Sequence, residues 1–69
     1  MTKEEILELE YLFNHYSFRF ELFKNERDNN GMENLRGAVK IFGHKFVEKE
    51  KKEIGGIVYS EYKLVKINE

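Results

Sequence analysis

Apolar positions in the first third of the chain recur on two separate helical faces. At about 100° per residue, Ile6, Leu9, Leu12, Phe13, Tyr16, Phe20 and Phe23 fall within one arc of about 120°, with no polar residue among them. Nearly opposite lie Leu7, Tyr11, Phe18 and Leu22. Glu8, His15 and Arg19 separate the two stripes on one side, and Glu10, Ser17 and Glu21 on the other. The pattern predicts a helix over about residues 2–27, roughly 39 Å long at 1.5 Å per residue. Thr2 and Glu5 have the spacing of a capping box, and Glu4, Glu5 and Glu8 suit the positive end of the helix dipole. A strand over Tyr16–Lys24 is the competing reading, through the alternation of Tyr16, Phe18, Phe20 and Leu22 with polar residues, but Phe23 breaks it.

Asp28-Asn29-Asn30-Gly31 predicts a turn over 28–31, since these residues tolerate left-handed backbone and cap a following helix. Beyond it, Met32, Leu35, Ala38, Val39, Phe42 and Phe46 share a second arc and predict a helix over about 32–53, closed by Gly55-Gly56. Val39, Ile41 and Val47 also suit a strand, although one face of that strand would read Val39, Ile41, Gly43, Lys45, Val47. Residues 57–67 are rich in β-branched and aromatic side chains and predict an extended strand. A lone strand leaves its backbone groups unpaired. Either residues 38–48 form a strand that pairs with it, or two copies of the chain pair at this segment. The predicted fold is mainly α, with α+β as the variant: a long antiparallel helical hairpin followed by a C-terminal β-strand, completed by dimerisation, in one small domain over 1–69.

Charge bears on that topology. The net charge of −1 conceals a balance of −4 over residues 1–35 and +4 over 36–52. In an antiparallel hairpin, Glu4, Glu5 and Glu8 would stand beside Lys49, Lys51 and Lys52. The 69 residues include no cysteine and no proline, which excludes disulfides and thiolate metal sites. Such a small chain relies on well-packed helices or on oligomerisation. No apolar run approaches the roughly 18 residues of a membrane span, and the acidic start lacks the pattern of a secretory signal. These features predict a soluble, cytoplasmic protein. Abundant Lys, Glu, Asn and Ile suggest a low-GC genome, and the small size fits a phage or mobile element.

Candidate chemistry is sparse. His15 and His44 would lie at similar heights in the hairpin but point away from the shared stripe, and no paired metal-ligand spacing accompanies them. Ser17 and Ser60 lack a nucleophile's constellation, and the glycines form no phosphate loop. No catalytic, cofactor-binding or metal residues are therefore expected, and no enzyme activity. A small nuclease or toxin using His44 with nearby lysines is the weakest of the readings. Arg36, Lys40, Lys45, Lys49, Lys51 and Lys52 form the candidate nucleic-acid-binding face. Against it, Glu48 and Glu50 dilute the charge, and Phe42 and Phe46 belong to the core arc.

The second stripe, Leu7, Tyr11, Phe18 and Leu22, is the candidate partner-binding site. It can pack against the chain's own C-terminal strand, a second copy, or a foreign protein. The expected function is a non-enzymatic protein–protein interaction module, regulatory, inhibitory or an assembly accessory. Its partner would be itself, as a homodimer, or another protein. Nucleic-acid binding through the 36–52 face is the alternative.

Overall fold

A computed structural model of the chain describes residues 1–67. Its order is α1 (Lys3–Phe23), α2 (Glu26–Ile41), β1 (His44–Ile54) and β2 (Ile57–Lys66). Two helices thus precede a two-stranded antiparallel sheet. This corrects the expected long helical hairpin with a single strand. It also removes the reason for completing the fold by dimerisation, because β2 finds its strand partner within the chain.

The capping box starts α1: Thr2 N–H donates to Glu5 Oε1 (2.8 Å), and Glu5 N–H to Thr2 Oγ1 (3.1 Å). These bonds hold the Glu5 carboxyl below its ordinary range, the backbone donor contributing most. The helix ends four residues earlier than expected, where Lys24 turns left-handed (φ 54°) and donates its N–H to Phe20 O at 2.7 Å. Asn25 then caps α2 by accepting from Asp28 N–H at 2.9 Å. Residues 28–31, expected as the turn, are therefore helical. Asp28 is buried and held by Arg19 Nε at 3.2 Å, a contact between helices that outweighs the local preference of these residues for turns.

The expected helix over 32–53 divides in two. Met32 and Val39 are buried in α2 as the stripe required. After Ile41, however, the chain leaves the helix, and Phe42 is 65% exposed. Residues 44–54 become β1 because they supply the partner that β2 needs: every ladder bond satisfies backbone groups that a lone strand would leave open. The register runs from His44 opposite Lys66 to Ile54 opposite Ile57, with a bulge between Glu48 and Glu50. Gly55-Gly56 closes no helix. Both glycines have positive φ (56° and 82°), the backbone of a two-residue type I′ hairpin turn. The predicted charge match also fails. Lys52 pairs with Glu61 at 2.9 Å and Glu50 at 4.0 Å, Lys49 with Glu61 at 3.7 Å, and Lys51 with Glu48 at 3.9 Å.

All four elements meet at Phe13, which is fully buried. Its ring stacks on Phe46 of β1 (centroids 3.9 Å apart) and meets Tyr62 of β2 edge-on at 5.0 Å. The Arg36 guanidinium of α2 lies 5.0 Å from its centroid. Leu64 completes this layer from β2. Among the described residues, no helix is long and apolar enough to cross a membrane.

Candidate interaction face

The placement of α1 follows from the polar residues between its two apolar stripes. Glu10, Asn14 and Ser17 occur at i, i+4 and i+7 and share one narrow line along the helix. That line docks on the outer edge of β2. Leu64 N–H donates to Glu10 Oε2 (2.9 Å), and Ser17 Oγ donates to Ser60 O (2.8 Å). Between them, Tyr62 N–H donates to Asn14 Oδ1 (2.7 Å) and Asn14 Nδ2 donates to Tyr62 O (3.0 Å). The spacings agree: seven helical residues rise about 10 Å and four strand residues about 13 Å. The helix edge thus serves as a substitute strand, satisfying and covering an edge otherwise open to unwanted pairing.

A helix seated on a strand edge has one apolar stripe on each side of the sheet. Phe13, from the first stripe, lies against Phe46 and Tyr62 on the face that α2 closes. The second stripe flanks the opposite face. There Tyr59 and Glu61 alternate with Ser60 and Tyr62. Phe18 is half-buried, its ring edge-on to Tyr59 at 5.2 Å. Leu7, Tyr11 and Leu22 stay exposed at 57%, 74% and 43%. A cleft of about 280 Å³ runs between the elements, lined by Tyr11, His15 and Phe18 on the helix and by Ile54, Tyr59 and Glu61 on the hairpin. A hydrogen bond from Lys52 holds the Glu61 carboxyl below its ordinary range, and the same pairing raises the Lys52 ammonium. Sequence reasoning missed Tyr59 and Ile54 as members of this face. With β2 read as a lone strand, its aromatic side chains had no assigned side.

The six candidate nucleic-acid-binding cations do not stay together. Arg36, Lys40 and Lys45 line a second cleft of about 280 Å³ with His44, Phe46 and Ile67. Lys49, Lys51 and Lys52 lie towards the other end of β1, engaged by the carboxylates named above. Arg36 is held by Glu33 at 3.1 Å and by the Phe13 and Tyr62 rings. His15 and His44 line different clefts. His44, expected to point away from the shared apolar stripe, is buried, and its Nδ1–H donates to Phe42 O at 2.9 Å. Among the described residues, no group of three or more His, Asp or Glu side chains is placed to hold a metal ion.

Comparison of the chain with family models, with curated proteins and with solved structures found no match.

Proposed function

We propose that this chain is a small, non-enzymatic, cytoplasmic protein–protein interaction module, acting as a regulatory, inhibitory or assembly accessory protein. Its binding face is the second stripe of α1, Leu7, Tyr11, Phe18 and Leu22, extended by Tyr59 and Ile54 of the hairpin. One observation carries this reading. The chain pairs its own strands, covers its β2 edge and fills its core, yet leaves Tyr11 74% exposed between an exposed Leu7 and the half-buried Phe18. Covering such side chains contributes about 1.5–3 kcal/mol gross each, before association costs. Tyrosine and phenylalanine are also enriched at the centres of protein interfaces.

The test is affinity capture from the source cell with the wild-type chain and with Tyr11→Glu, followed by titration of the purified captured protein. The expected result is a bound protein whose affinity falls at least tenfold in the variant, while the variant keeps its circular dichroism and melting temperature. Capture that is indifferent to Tyr11 would overturn the reading.

A further inference from the structure

The second stripe has an internal symmetry. Leu7 and Leu22, and Tyr11 and Phe18, are placed equally on either side of a point between Asn14 and His15, in the order aliphatic, aromatic, aromatic, aliphatic. Building on the interaction reading of this face, we infer that its occupant is a second copy of this chain, docked α1 against α1 in antiparallel fashion about a two-fold axis through that point. A two-fold interface requires a surface complementary to itself, and the stripe meets this residue by residue. Leu7 comes level with the partner's Leu22, and Tyr11 with the partner's Phe18.

Charge selects the antiparallel direction. The first turns of α1 carry Glu4, Glu5 and Glu8, whereas Arg19 lies towards its end and Lys24, at its C-cap, is paired with Glu21 at 2.6 Å. Antiparallel docking sets Glu8 within about 3 Å, along the axis, of the level of the partner's Arg19, and both flank the stripe on the same side. Arg19 binds Asp28 through Nε but keeps 44% of its side chain exposed. A parallel arrangement would bring acid against acid, and helix dipole alongside helix dipole in the same sense. The axis also brings both hairpins to one flank, so that Tyr59 and Ile54 add to the covered surface.

The absence of cysteine allows a register test without background. Sedimentation velocity at high micromolar concentration should show a dimer, and Tyr11→Glu should convert it to monomer with its helix content unchanged. A Leu7→Cys chain mixed with a Leu22→Cys chain under mild oxidation should give the mixed disulfide several-fold in excess of either self-disulfide, because identical positions lie roughly 22 Å apart along the helix in the antiparallel pair. Efficient self-linking of the Leu7→Cys chain would overturn the arrangement. A monomeric wild-type chain that captures another protein through Tyr11 would overturn the second-copy inference and leave the interaction reading standing. A monomer without Tyr11-dependent capture would overturn both.

Discussion

The ring of Tyr16 occupies the space that a β-carbon on Gly31 would need: that carbon would stand 2.9 Å from Tyr16 Cζ and 3.0–3.1 Å from both Cε atoms. Gly31 lies inside α2, where glycine costs up to about 1 kcal/mol relative to alanine. The cost is tolerated because it lets an aromatic ring of α1 lie directly on the α2 backbone. The two helices are joined by only Lys24 and Asn25, and this contact lets them pack closely just beyond the turn.

Gly31→Ala is accordingly expected to destabilise the protein by about 1–3 kcal/mol, the range for forcing extra volume into a packed contact. Gly37 provides the control. It lies in the same helix, and a β-carbon there meets nothing within 4 Å. Gly37→Ala should therefore stabilise by about 0.5–1 kcal/mol. Urea midpoints of the two variants should move in opposite directions. Movement in the same direction would show that helix propensity alone decides both.

The same pair of residues shows why part of the fold was illegible in the chain. Asp28-Asn29-Asn30-Gly31 is the strongest local turn signal, but Asp28 is held by Arg19 and Gly31 is covered by Tyr16, both distant in sequence. The actual turn falls at Lys24-Asn25, where one non-glycine residue adopts a left-handed conformation that no pattern announces. Likewise Phe42 and Phe46 have the i, i+4 spacing of a helix although a reversal lies between them, and the lysines and glutamates of β1 hide its alternation. The capped first helix, its two faces and the C-terminal strand were legible because strong periodicity and β-branched content do not depend on distant partners. Of the candidate face, the four helical residues were legible. Glu10 and Ser17 were visible only as separators, since their role exists only once a strand edge is beside them.

Asn14 is the centre of that edge contact, and its loss should be costly. Asn14→Ala leaves the N–H and C=O of Tyr62 without their partner in a half-buried position. Leaving such groups unsatisfied costs about 1–3 kcal/mol. Hydrogen exchange at Tyr62 and Leu64 should accelerate more than at β1 positions, and the uncovered edge should increase aggregation on heating. Unchanged exchange at Tyr62 would show that α1 contributes only apolar contact.

The Gly55-Gly56 turn offers a stabilising change. Both positions have positive φ, and Asn-Gly is the preferred pair for a type I′ turn. Gly55→Asn keeps a residue that tolerates this backbone while reducing the freedom of the unfolded chain, and no neighbour lies within 4 Å of the new β-carbon. A gain of about 0.4–1 kcal/mol is expected, read as a higher melting temperature. A loss would mean that the turn departs from this geometry in solution.

The Lys52–Glu61 pair makes a defined contribution to pH dependence. Glu61 is held below the ordinary carboxylate range, first by the hydrogen bond from Lys52, so its folded pKa lies below its unfolded one. Its contribution is present above the unfolded value and is lost as pH falls through the folded value. Lys52 is held above 10.5 by the same bond, so its contribution is full below the unfolded value and lost as pH rises through the folded one. The pair therefore acts across the whole neutral range. The stability difference between wild type and Glu61→Gln should be constant from mildly acidic to mildly alkaline pH, then shrink below about pH 4.5 as the Glu61 carboxylate is protonated. Measuring the difference cancels the titration of carboxylates common to both proteins. The pair is solvent-accessible, so the difference should also diminish with added salt. A difference that persists undiminished in acid would show that Glu61 acts through packing in the cleft it shares with Tyr11 and Tyr59 rather than through its charge.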